Sequence, residues 1–311
     1  MPFSAIRLYN CYTTTSVVTF ETTFYIQCQG PRVRIHHLNC GSHCPVGGFL
    51  FDGSSKGLLA NICTHCLLVE TADCLVLVDT GYGLKDVMRT SAGRLPLTWP
   101  LILNTRLREQ DTAIHQVKAL GFSARDVRHI VLTHLDFDHA GGIADFPEAT
   151  IHVMSGERQA AETARGFVAR QRYRPSMWKD VTDWRMYEAE GEAWFGFRSV
   201  RDLRGLPPEI LMVPLPGHTF GHAGVAIKSD GRWILNAGDS FMHDGQLDVV
   251  HPHCPVGIEV YQAIMSTDRR ARLDNIERLR ELKRNHGSDV SIFASHDGVQ
   301  LAAMRGTTPS G

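Results

Sequence analysis

Long apolar runs are missing from this 311-residue chain: no stretch reaches the ~18 uninterrupted apolar residues of a membrane-spanning helix. A membrane is therefore not an expected partner. Net charge is nearly missing too, at −1 from 32 basic and 33 acidic residues. Nucleic acid has no basic footprint to meet, so a small, neutral molecule is the expected substrate. Residues 1–31 lack the basic start and the continuous apolar core, roughly 7–15 residues, of a secretory leader. They read as an N-terminal extension. Eight cysteines are spread along the whole length rather than packed as in a disulfide scaffold, which points to a reduced, cytoplasmic setting. No internal repeat is visible.

Hydrophobic residues make up 43% of the chain, enough to bury one full core over residues 32–311. The densest chemistry is His134-Leu135-Asp136-Phe137-Asp138-His139, followed by Ala140-Gly141-Gly142. Two imidazoles and two carboxylates this close together would desolvate and repel one another unless a cation paired with them. The run Arg128-His129-Ile130-Val131-Leu132-Thr133 ahead of them is β-branched and apolar, so it predicts a buried strand. The cluster then sits at that strand's C-terminal end, where α/β folds expose their chemistry.

This segment resembles the H-x-H-x-D-H motif of the metallo-β-lactamase superfamily, with Asp136 in the place of the second histidine. Three later segments continue the resemblance in order: Leu215-Pro216-Gly217-His218-Thr219-Phe220-Gly221-His222, Trp233 to Asp239, and Ile292 to Asp297. Val76-Leu77-Val78-Asp79-Thr80-Gly81 matches a further structural signature. The resemblance implies an αββα sandwich, two mixed sheets flanked by helices. It also implies two divalent ions, one held by His134, Asp136 and His218, the other by Asp138, His139 and His296, with Asp239 bridging. Zinc is the first expectation, and iron or manganese are the alternatives.

Such a centre is expected to generate a bridging hydroxide that attacks an ester or lactone carbonyl, with Asp138 passing the proton to the leaving oxygen. Among relatives the chain is most similar to the N-acyl homoserine lactonase group. It departs from that group at Met242, where those enzymes carry a tyrosine three residues beyond the bridging aspartate. The alternatives are a flavodiiron-like redox site, whose members also place a carboxylate at the position of Asp136, and a phosphotriester or β-lactam hydrolase. Charge counting sets Asp136, Asp138, Asp239 and the hydroxide against two divalent ions. A neutral cluster is the expectation, and histidine at 136 would make it positive.

Other polar residues receive structural readings. His222 is expected to hydrogen-bond behind the ligands and Asp297 to cap a helix. Cys63 and Cys66 should face opposite sides of one strand, as packing residues. Cys40 and Cys44 are expected on a loop at the site mouth. Strands are predicted near 33–38, 65–70, 74–79, 128–133, 150–154, 211–214, 223–228, 232–237 and 290–294. Helices are predicted over 111–120, with Ile114, Val117 and Leu120 inward, and over 267–286, with Leu273, Ile276, Leu279 and Leu282 inward. Ser123 to Asp126 reads as a capping box. Insertions near 85–110 and 156–208 are aromatic and apolar, suited to pocket walls or a contact between two copies, so a homodimer stays open.

Overall fold

The continuous apolar runs do form strands, and those over 62–70, 75–78, 150–154, 210–214 and 223–227 are buried on both faces because two sheets stack between helices. The computed structural model describes residues 33–88, 94–96, 98–200 and 202–306, all within the compact unit Pro31–Gly311. The expected extension over residues 1–31 lies outside the described residues. The first sheet comprises β1 (Arg34–His43), β2 (Ile62–Glu70), β3 (Leu75–Val78), β4 (Thr105–Arg106), β5 (Val127–Val131), β6 (Thr150–Met154) and β7 (Trp184–Tyr187). Its order is β4-β1-β2-β3-β5-β6-β7, antiparallel through β3 and parallel from β3 to β7. After the small ribbon β8 (Ala193–Trp194) and β9 (Phe197–Arg198), the second sheet takes β10 (Ile210–Pro214), β11 (Ala223–Ser229), β12 (Arg232–Asn236) and β13 (Val290–Phe293) in sequence order. Only its β12–β13 pair is parallel.

Alternation along β2 shows the layering. Leu67 and Val69 join Val76, Val78, Met212, Val225 and Ile227 between the sheets. Cys66 and Leu68 face the other way, against Ile114, Val117 and Phe137 on the outer helices. Leu211, Val213 and Leu235 face outward from the second sheet onto Ile276, Leu279 and Leu282 of the helix Arg269–His286. This is the expected helix-sheet-sheet-helix sandwich.

Local expectations meet the structure unevenly. The Ser123–Asp126 capping box forms, and Asp297 caps the helix Gly298–Met304 by accepting from Val299 N and Gln300 N. Leu120 and Leu273 are corrected: both are exposed, at 41% and 46%, because each lies at the rim of its apolar stripe. Cys40 is corrected too. It lies within β1, 1% exposed in the core, and does not line a site mouth.

A buried polar relay runs through the first sheet outside the metal-capable cluster. His152 Nε2 is 3.0 Å from His129 Nδ1, and its Nδ1 is 2.8 Å from the Tyr187 hydroxyl. Burial, with His129 and Arg185 adding to it, pushes His152 down to about 3, and burial with Arg305 and His36 pushes His37 down to about 4. Below pH ~6.5 the unfolded chain binds protons that these folded imidazoles refuse, so stability rises with pH across that window and is lost as pH falls. The metal-free protein should therefore lose stability steadily from pH ~6.5 toward pH ~4, with a shallower slope for His152→Gln. Equal slopes for the two proteins in urea titrations at several pH values would refute this role for His152.

Candidate metal centre

Four loops that leave the C-terminal ends of β5, β10, β12 and β13 meet at one end of the sandwich. They bring together all seven residues singled out in the sequence: His134, Asp136, Asp138, His139, His218, Asp239 and His296, each at most 6% exposed. Two triads result, His134/Asp136/His218 and Asp138/His139/His296, with the ligand-capable atoms of each within 4.8 Å of one another. Asp239 stands between them. Its Oδ2 is 3.2 Å from His296 Nε2, 3.4 Å from His218 Nε2 and 3.9 Å from His134 Nε2, and its Oδ1 is 3.3 Å from His139 Nε2.

These atoms fit metal ions. Ligands held ~2.0–2.2 Å from a tetrahedral ion lie about 3.3–3.6 Å apart, close to the separations around Asp239. His134 Nε2 and Asp239 Oδ1 are buried with no hydrogen-bond partner, a costly state unless a cation takes their lone pairs. Burial alone would raise the Asp239 carboxyl, but His296, His139 and His218 hold it well below the usual range. Burial would likewise lower His139, yet Asp239, Asp79 and Asp138 carry it well above 6.5. A protonated imidazole here does in the metal-free protein what a cation would do.

The surrounding chain aims these groups. Asp79, at φ 57° just after β3, accepts from Thr133 N and Thr133 Oγ1, both at 2.8 Å, and meets His139 Nδ1 at 2.9 Å. The adjoining Gly81 has φ 62°, and a Cβ there would lie 2.2 Å from that of Cys40. His222 Nδ1 faces the Leu215 carbonyl at 3.0 Å and its Nε2 accepts from Asp239 N at 2.9 Å, so it fixes the Asp239 backbone as expected. Cys63 also packs, its thiol directed at the Ser295 carbonyl.

Four contributors were not legible in the sequence. Glu157 accepts from Leu135 N, Thr219 Oγ1 and Gly221 N, tying two ligand loops together; a Cβ on Gly221 would come within 1.9 Å of Glu157 N. His43 lies with Nε2 3.4 Å from Asp138 Oδ2. Tyr261 packs on the cluster of Ile62, Met242 and Ile258, and burial, with Asp138, Asp239 and Asp136 adding to it, pushes its phenol well above 10. A phenol thus packs against the cluster that contains Met242. Arg172 is the fourth, 1% exposed, with Nη2 2.9 Å from Asp136 Oδ2 and Nε 2.9 Å from Asp136 Oδ1. This guanidinium corrects the charge count made from sequence. It cancels one of the three carboxylates, so the Asp136–Arg172 pair carries the same formal charge as the neutral histidine found there in the usual motif.

The insertion 156–208 supplies Glu157 and Arg172, together with the strand β7. Arg172 and Tyr173 also line a cavity of about 580 Å³ with Phe167, Phe220, Ile264 and Met265.

Comparison with known proteins follows the same lines. The sequence profile of the metallo-beta-lactamase superfamily matches residues 64–284. A protein of Mycobacterium tuberculosis named "probable metallo-hydrolase" is 41% identical over 271 residues, 87% of this chain and 82% of its own. An N-acyl homoserine lactonase of Bacillus thuringiensis is 25% identical over 84% of this chain and 94% of its own. Among solved structures, an N-acyl homoserine lactone hydrolase with N-hexanoyl-L-homoserine bound at its catalytic metal center superposes with a TM-score of 0.63. It is 21% identical and covers 88% of this chain and 96% of its own.

Proposed function

This chain belongs to the metallo-β-lactamase superfamily and is a metallo-hydrolase, and from that premise we propose that it cleaves an ester or lactone bond of a small molecule at a two-metal centre. The observation that carries the reading is the convergence of His134, Asp136, Asp138, His139, His218 and His296 around Asp239, with buried lone pairs left for a cation. Those residues would hold two divalent ions, zinc first by donor set, which when bound would supply a hydroxide nucleophile at neutral pH and polarise the carbonyl.

The chain's own residues complete the reaction. Burial would raise the Asp138 carboxyl, but His139, His43 and His296 hold it down to about 2, so it is ionised. Its Oδ2 carries a proton to the leaving oxygen. The Tyr261 phenol stays protonated and donates to the oxygen on which charge develops, the task for which position 242 offers no hydroxyl. The exposed side chains of Phe167, Phe220 and Ile264 around the 580 Å³ cavity suit an apolar tail on the substrate. The partner in this reading is a small molecule.

The test is metal-reconstituted protein assayed against lactones, aryl esters, phosphotriesters and β-lactams, with oxygen uptake measured in parallel. Hydrolysis of a lactone or ester that persists anaerobically supports the reading; thiol- or flavin-driven oxygen uptake with no hydrolysis overturns it. In the same assay Tyr261→Phe should lower kcat about 10²-fold, with metal content unchanged and KM within about threefold. An unchanged kcat would remove Tyr261 from the mechanism.

A further inference from the structure

The two metal positions are unequal, and Arg172 makes them so. Its Nη2 lies 2.9 Å from Asp136 Oδ2 and also 2.9 Å from His218 Nε2, while Nη1 donates to the His218 carbonyl at 2.9 Å. Those ring and carboxylate atoms are ones the Asp136 triad would offer an ion, with His134 Nε2 the member that Arg172 leaves open. A guanidinium never gives up its charge in a protein, so an ion entering this triad meets a resident cation on the same lone pairs.

Among the described residues no arginine is paired with the Asp138 triad. Asp138 Oδ2 faces His43 Nε2 at 3.4 Å and His296 Nε2 at 3.6 Å, and His139 and His296 approach each other to 3.3 Å with Asp239 beside both. An ion there meets Asp138 and Asp239 opposed by no guanidinium, and an imidazole, unlike a guanidinium, can give up its proton to an incoming ion. The Asp136 side sees Asp136 and Asp239 less one charge for Arg172. Arg172 is anchored at the end of the helix Phe167–Arg172, and the backbone of the next residue, Tyr173, bridges to Asp136. Its side chain also lines the 580 Å³ cavity, which gives the guanidinium room to withdraw.

We propose that Arg172 is a built-in competitor for the Asp136 metal position, so that the Asp138 triad fills first and the Asp136 triad fills second and more weakly. The proposal rests on the two-ion reading above. It makes the site's occupancy respond to metal supply: a one-ion form at scarcity, a two-ion form only when Arg172 is displaced.

Competition between the whole protein and a chromophoric chelator for zinc, with cobalt absorption as a second readout, tests this without reference to activity. Wild type should show two events separated by at least about tenfold in affinity. Arg172→Gln should tighten the second event at least about tenfold and leave the first within about threefold. Removing a buried arginine also strands Asp136, so a second route avoids reliance on that variant. Asp136→His with Arg172 retained should weaken the second event at least tenfold, and Asp136→His with Arg172→Gln should restore it. Two equal events in wild type, or a second event unchanged or weakened in Arg172→Gln that is folded by circular dichroism, overturns the role of Arg172. Failure of wild type and of folded Arg172→Gln alike to take a second ion at millimolar metal overturns the two-ion reading itself.

Discussion

Asp239→Ala should lose both ions and, with them, hydrolysis by roughly 10³-fold or more. Among the described residues Asp239 is the carboxylate placed between both triads, its oxygens 3.2–3.9 Å from four histidine nitrogens. Alanine there takes from His134, His139, His218 and His296 the one carboxylate they share, leaving Asp138 and the Arg172-paired Asp136 as the triads' own negative charges, which raises the cost of bringing a second cation in. Asp136→Ala removes a ligand from one triad alone and leaves the other intact. Elemental analysis after reconstitution should therefore find near ~0 ions in Asp239→Ala and about one in Asp136→Ala, with cooperative melting in both. An Asp239→Ala protein that holds two ions would show that Asp239 does not bridge.

The sequence displays the ligands because most of them are local. Four metal-capable side chains fall between His134 and His139, and the other three each end an apolar strand that reads clearly from its composition. Strands such as β2, β3, β6, β10 and β11 are legible for a physical reason: both of their faces are buried, so they appear as apolar runs rather than as alternation. β7 escapes this signal because it lies at the edge of the first sheet and carries Arg185 and a 55% exposed Met186. Leu120 and Leu273 mark the other limit, since periodicity locates the centre of an apolar stripe and not its width.

Arg172, Glu157, His43 and Tyr261 are illegible for a different reason. Each is a single polar residue on an element without a motif, and its partners are far off in the chain: 36 residues separate Arg172 from Asp136 and 64 separate Glu157 from Gly221. Charge counting gave no clue either, because three carboxylates and a hydroxide already balance two divalent ions. Only folding shows that Arg172 pairs with Asp136.

Asp79 is where fold and site depend on the same atoms, and its variants should separate the two roles. Oδ1 accepts from Thr133 N, and Oδ2 faces both Thr133 Oγ1 and His139 Nδ1. Asparagine keeps the shape and tolerates the φ of 57°, as few residues do. It offers only one acceptor oxygen. With that oxygen on Thr133 N, its amide NH₂ points at His139 Nδ1, which must then accept and carry its proton on Nε2. That is the nitrogen 3.3 Å from Asp239 Oδ1, and a protonated Nε2 cannot ligate an ion. Asp79→Asn should thus weaken binding at the Asp138 triad about 10–100-fold, seen as loss of the tighter of the two chelator-competition events, at a stability cost of roughly 1–2 kcal/mol. Asp79→Ala strands Thr133 and His139 together and forces a Cβ-bearing residue without a side-chain acceptor into the left-handed region, so it should cost about 3–5 kcal/mol and lower the melting temperature of the metal-free protein. The two variants must therefore fail differently. Equal metal affinity in wild type and Asp79→Asn would mean that the Asp79 carboxylate fastens β3 to the loop after β5 and leaves the His139 tautomer to other forces.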